Sequence, residues 1–128
     1  MTLENTPFML YHENTPRVVF YENENGRLPV REELESLSES DQAKAATHIA
    51  LLEKLGHGLR EPHVKHLQEK LKELRFKISE GQYRIFFFFH VGEKVVLLHS
   101  MVKKTQQTPQ RDLELALKRM KDWIRRRG

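Results

Sequence analysis

The segment Tyr83-Arg84-Ile85-Phe86-Phe87-Phe88-Phe89-His90 decides the architecture. Read as a strand, it is apolar on both faces except at Arg84 and His90, and only a central strand covered on both sides suits such a run. Gly81-Gln82 before it and Gly92-Glu93 after it supply turns, so the neighbouring segments are its partners. On one side, Leu74, Phe76 and Ile78 alternate with Glu73, Arg75 and Lys77. A strand there sends its apolar set to the core and sets Arg75 and Lys77 together on the opposite face. On the other side, Lys94 to Val102, with Val95-Val96-Leu97-Leu98-His99-Ser100-Met101 inside it, reads as a third strand. Three strands joined by short turns form an antiparallel meander.

Outward from the meander, Arg17-Val18-Val19-Phe20-Tyr21-Glu22 reads as an earlier strand ended by the turn Asn23-Glu24-Asn25-Gly26. Pro29 opens a short helix through Leu37, and Ser40 precedes a longer one to about Leu55, stopped by Gly56 and Gly58. In the longer helix Ala45, Ile49, Leu52 and Leu55 share a face, and the two helices form a hairpin. A loop from Gly56 to about His66 follows. Thr108-Pro109 starts a last helix with Leu113, Ala116, Leu117, Met120 and Ile124 on one side and Arg125-Arg126-Arg127 in its final turn. The fold class is α+β: strand, helical hairpin, three-strand antiparallel meander, C-terminal helix. The 128 residues make one domain over residues 17–128, preceded by an N-terminal extension, residues 1–16, in which Glu-Asn-Thr-Pro occurs twice.

Composition narrows the chemistry. With no cysteine there is no disulfide framework, zinc-cysteine site or thiol nucleophile. The longest apolar run, Ile85 to Phe89, falls far short of a membrane span, and no signal pattern opens the chain, so a soluble, cytoplasmic protein is expected. Of the seven histidines only His63 and His66 form a close pair, without a third ligand at metal-site spacing, so neither metal nor cofactor is expected. Nucleophile elbows and glycine-rich phosphate loops are absent.

The net charge of +4 hides a division. Residues 1–64 hold six Lys and Arg against eleven Asp and Glu, a net of −5, whereas residues 65–128 hold sixteen against seven, a net of +9. Clustered cations gain from displacing the counterions of a polyanion, and nucleic acid is the foremost candidate, with solvated helix surface as the alternative. The meander brings Arg75, Lys77, Arg84, Lys103 and Lys104 near one another, the last two just beyond the strand that contains His99. Cutting an RNA phosphodiester needs little more. The substrate's own 2′-hydroxyl attacks, fixed cations stabilise the pentacoordinate phosphorus, and a group such as His99 moves protons. Equally compatible with the residues is an interior Arg84 paired with an acid such as Glu73, and a hydrogen-bonded core histidine at position 99.

Leu74-Arg75-Phe76-Lys77, Tyr83-Arg84-Ile85-Phe86 and His99-Ser100-Met101-Val102-Lys103-Lys104-Thr105-Gln106-Gln107-Thr108-Pro109 occur in an order that resembles the RelE/HigB superfamily of bacterial toxins, in its phage-derived HigB-like branch, across about residues 17–124. That resemblance implies a metal-independent endoribonuclease that cuts mRNA in the ribosomal decoding site, leaves a 2′,3′-cyclic phosphate and is neutralised by a cognate antitoxin. By the same resemblance Arg84 contacts the scissile phosphate, Lys103 and Lys104 are the basic residues at the end of the next strand, Arg75 holds the Leu-Arg position and His99 the branch's histidine; Lys77 joins them from strand geometry. Ser100-Met101 and Gln107 depart from the branch's usual residues, and no tyrosine follows Tyr83 to match the general base of several relatives. The expected partners are the ribosome with its mRNA and a small helix-turn-helix antitoxin whose acidic segment covers the basic surface. Two alternatives share the scaffold: a ParE-like DNA gyrase inhibitor and a noncatalytic RNA- or protein-binding module.

Overall fold

A computed structural model of the chain describes Phe8 and residues 17–90, 94–103 and 108–127. Their elements are β1 (Val18–Phe20), α1 (Pro29–Glu35), α2 (Glu39–Leu55), β2 (Val64–Gln68), β3 (Leu71–Ile78), β4 (Gly81–His90), β5 (Lys94–Lys103) and α3 (Gln110–Arg127). The five strands form one sheet in the order β1-β5-β4-β3-β2, which puts β4 in the middle. Every pairing is antiparallel except that of β1 with β5.

The phenylalanine run fills both faces of that central strand, and each face has its own cover. Ile85 and Phe87 join Leu74, Phe76, Ile78, Val95 and Leu97 beneath α1 and α2, which add Val30, Leu34, Ala45, Ile49 and Leu52. Phe86 and Phe88 join Val96 and Leu98 beneath α3, which adds Ala116, Met120 and Trp123. Phe8, inside the expected N-terminal extension, is fully buried in the first of these clusters. Among the described residues no helix is long and apolar enough to cross a membrane.

Several boundaries differ from the sequence reading. The expected loop from Gly56 to His66 holds a single helical turn, Gly56–Gly58, and then β2, so the meander has four strands rather than three. Only Val64 of β2 is buried, and a polar edge strand has too weak an alternation to announce itself. Ser38, not Ser40, caps α2 by accepting a bond from the Asp41 amide. Leu55 is 46% exposed. At about 100° per residue it lies roughly 80° round the helix from Ala45, on the flank of the buried stripe rather than within it.

Asp41 carries an unanticipated role at the start of α2. Its carboxylate accepts from the Ser79 amide at 3.1 Å and the Ser79 hydroxyl at 2.7 Å, which ties α2 to the β3–β4 turn. Those hydrogen bonds hold the carboxyl below its usual range. Helix α3 begins one residue later than Thr108-Pro109 suggests. The Pro109 carbonyl accepts the amides of Asp112 and Leu113, leaving the Thr108 hydroxyl to face the sheet. The turn at Gly92-Glu93 lies outside the described residues.

Because β4 is enclosed on both sides, truncation there removes packing that nothing replaces. Phe87→Ala is expected to cost about 3–5 kcal/mol in denaturant unfolding. Leu55→Ala, on the exposed flank of α2, is expected to change stability by less than about 0.5 kcal/mol.

Candidate active site

The α3 side of the sheet is apolar at one end and polar at the other. Cross-strand register defines the rows: Glu73, Phe86 and His99; Arg75, Arg84 and Met101; Lys77, Gln82 and Lys103. Directly opposed residues of an antiparallel sheet share a face, so these nine side chains lie together. Register between Lys65 and Glu73 brings Lys65 of β2 to the same face. Lys65 falls in the expected loop before His66, where the weak alternation of β2 gives it no face.

A carboxylate sits at the centre of the cations. Glu73 is fully buried, and Arg84 is 6% and Lys103 8% exposed. Arg84 Nη1 donates to Glu73 Oε1 at 2.7 Å, and Nη2 donates to Gln82 Oε1 at 2.7 Å. The Thr108 hydroxyl lies 3.4 Å from Glu73 Oε2 and 3.4 Å from Lys103 Nζ, which links α3's entry to both charges. The interior pairing of Arg84 with Glu73 is thus present. Arg84 Nε is buried without a hydrogen-bond partner among the described residues.

Lys103 is the perturbed base of the group. Burial pushes its ammonium below the usual lysine range, and the nearby Arg84 charge pushes in the same direction; Glu73 opposes them, while Lys65 and Arg75 add to the lowering. A cation that is desolvated and crowded by like charges releases its proton more readily than a surface lysine.

The remaining expected residues divide by position. Arg75 stands directly opposite Arg84, but the like charges part: Arg84 turns to Glu73, and Arg75 Nε donates to the Pro62 carbonyl at 3.3 Å. Lys77 is exposed at the rim beyond Gln82. His99 is not beside Lys103. Four residues along one strand separate the two by about 13 Å, and His99 Nε2 bonds Asp112 Oδ1 of α3 at 2.7 Å. Lys104 lies outside the described residues. His63 and His66 flank the start of β2, and His66 Nε2 meets the Glu69 carbonyl at 2.6 Å. Among the described residues no three His, Cys, Asp or Glu side chains are grouped to hold a metal ion.

What this arrangement offers chemically is a sheet face of fixed positive charge around a buried carboxylate, with a partly desolvated amine at Lys103. It suits an anion whose charge grows during reaction, because the donors are already oriented and partly dehydrated.

Comparison with known proteins places the site in context. The family model for "Phage derived protein Gp49-like" matches residues 32–121, which include every side chain of this cluster. Two relatives, both named "Probable endoribonuclease HigB1", come from two strains of Mycobacterium tuberculosis. Each is 32% identical over 104 residues, covering 81% of this chain and 81% of the relative.

The buried pair makes an asymmetric prediction. Glu73→Gln leaves the Arg84 charge buried without its carboxylate and is expected to cost about 3–5 kcal/mol. Replacing both residues by methionine is expected to restore most of that loss. A double-mutant cycle of Glu73→Met, Arg84→Met and the pair, followed by urea unfolding, measures the coupling.

Proposed function

The chain belongs to the phage-derived Gp49-like family, the HigB-like branch of the RelE/HigB superfamily, and from that membership we propose that it is a toxin endoribonuclease. In this reading it cuts mRNA on the ribosome in the cytoplasm, needs no metal ion, and is held inactive by a cognate antitoxin. The observation that supports it most is the Lys103 amine, lowered in pKa and set beside Arg84 on a face rimmed by Lys65, Arg75 and Lys77.

The 2′-hydroxyl of the RNA attacks the adjacent phosphorus, forming the O2′–phosphorus bond as the phosphorus–O5′ bond breaks. Its proton leaves to water. Arg84 retains a second N–H on each Nη beyond those given to Glu73 and Gln82, and these meet the nonbridging oxygens as they gain charge. An incoming phosphate competes with Glu73 for this guanidinium. The Lys103 ammonium gives its proton to O5′, so the products carry a 2′,3′-cyclic phosphate and a 5′-hydroxyl. Arg75, Lys77 and Lys104 bind flanking phosphates, and Lys65 extends the same track. His99, engaged by Asp112, acts by fixing the first turn of α3 against β5.

A domain with so much cationic surface in its second half needs an acidic cover when idle. A small helix-turn-helix antitoxin with an acidic segment, encoded beside the toxin, fits that need.

Translating ribosomes programmed with mRNA provide the test. Primer extension is expected to show cleavage by the wild-type chain, and a loss of about 100-fold or more for Lys103→Met and for the Glu73→Met, Arg84→Met pair. Retained cellular toxicity in those variants would instead favour a noncatalytic binding module. Intact mRNA together with blocked supercoiling by gyrase would replace the nuclease reading with the gyrase one.

The pH profile separates acid from base at Lys103. Its folded pKa lies below that of free lysine, and the ammonium form is the active one, so the rate is expected to fall as pH rises through that lowered pKa. Lys103→Arg, which keeps its proton, should lack this alkaline fall. A rate that climbs over the same range overturns the acid assignment.

A further inference from the structure

Strand β5 has one more residue than β4 at a single point. Phe87 pairs with Leu97 and Phe86 pairs with His99, so Leu98 is the extra residue of a β-bulge. Before the bulge, Val96 faces α3 and Leu97 faces α1 and α2. After it, His99, Met101 and Lys103 oppose Phe86, Arg84 and Gln82 on the α3 side, while Ser100 and Val102 oppose Ile85 and Tyr83 on the other. An unbulged β5 would carry His99 against Ile85 and Lys103 against Gly81, facing the core under α1 and α2. A shift of one residue exchanges the faces of everything downstream.

The bulge is fastened from outside the sheet. Arg119 of α3 donates from Nη1 to the Leu98 carbonyl at 2.8 Å. Its guanidinium lies 5.5 Å from the centre of the Tyr21 ring. Tyr21 is itself fixed, its amide donating to the Leu97 carbonyl at 2.9 Å and its hydroxyl to Asp122 Oδ2 at 2.7 Å. One side chain therefore joins α3, the end of β1 and the irregular point of β5.

We propose that Arg119 is a positioning residue for RNA cleavage: by bonding the bulged Leu98 carbonyl it holds the register that keeps Lys103 on the same face as Arg84. The proposal rests on the roles given to Arg84 and Lys103 above. Arg119 itself touches no substrate, since Leu98 lies five residues, about 16 Å of strand, from Lys103. It sets geometry, and a misplacement of about 1 Å at a reacting group costs on the order of 100-fold in rate.

The test compares the full chain carrying Arg119→Met, Arg119→Lys or Arg126→Ala with wild type. Arg119→Met keeps the aliphatic stem and removes the donors; Arg119→Lys restores one; Arg126→Ala removes the other cation beside Tyr21 without touching the bulge. Expected for Arg119→Met is a fall in kcat of about 100-fold on programmed ribosomes with KM within about twofold. Arg119→Lys should recover at least a tenth of the rate, and Arg126→Ala should match wild type. Amide hydrogen exchange should speed up in Arg119→Met at Leu98 to Lys103 but not at Leu74 to Ile78 in β3, which does not pair with β5. Faster exchange throughout the sheet, or an unchanged kcat with unchanged exchange at the bulge, overturns the positioning role. If wild type itself fails to cleave, the nuclease reading falls first, and the exchange pattern still reports whether Arg119 holds the bulge.

Discussion

A strand with four successive phenylalanines has no face that tolerates water. β4 must be covered twice, and that requirement organises everything else: α1 and α2 over Ile85 and Phe87, α3 over Phe86 and Phe88, and a hydrogen-bonded strand along each edge. The hydrophobic effect is nondirectional, so it demands cover without naming the covering element. Direction comes from a few polar ties. Asp41 binds α2 to the turn at Ser79, Asp112 binds α3 to His99, and Arg119 binds α3 to Leu98.

The same strand carries the one charge that breaks its apolar run. Arg84 is tolerated in the interior because Glu73 neutralises it and Gln82 takes a second N–H. Burying such a pair contributes little net stability compared with apolar residues of similar size, since desolvation offsets the attraction. Its retention in the centre of the sheet therefore calls for another reason, and a preorganised guanidinium beside a lowered lysine amine supplies one. The carboxylate orients the guanidinium and leaves a second N–H on each Nη, so the pairing of Arg84 is compatible with the chemistry proposed for it.

Much of this was readable along the chain. Period-two alternation in Leu74 to Ile78 announced β3 and separated its apolar set from Arg75 and Lys77. The double-faced run fixed β4 as central, and the Leu-Arg, Tyr-Arg and His-to-Lys-Lys segments pointed to the family that the comparison found. Less was readable where local pattern is weak. β2 has one buried residue, Val64, and its sequence reads as loop, which leaves Lys65 without a strand to place it. Ile124 packs on the buried face of α3 as expected, and Trp123 joins it unannounced, because adjacent positions lie about 100° apart on a helix and only the tertiary contact decides how wide the buried face is. Grouping His99 with the lysines followed from their closeness in sequence, and strand rise sets His99 about 13 Å from Lys103.

By itself the sequence determined which segments must be covered, which strand is central, that cysteine chemistry is excluded, and that positive charge gathers in the second half. These follow from composition and periodicity, which are local properties. Only the tertiary structure decided which face of β5 carries Lys103. Strict alternation would hide it beneath α1 and α2; one inserted residue at Leu98, held by Arg119 from another element, turns it toward Arg84. The bulge leaves no periodic trace in Val95 to Leu98 because all four residues are apolar and either face accepts them, so its position is set by long-range bonds that no local pattern encodes.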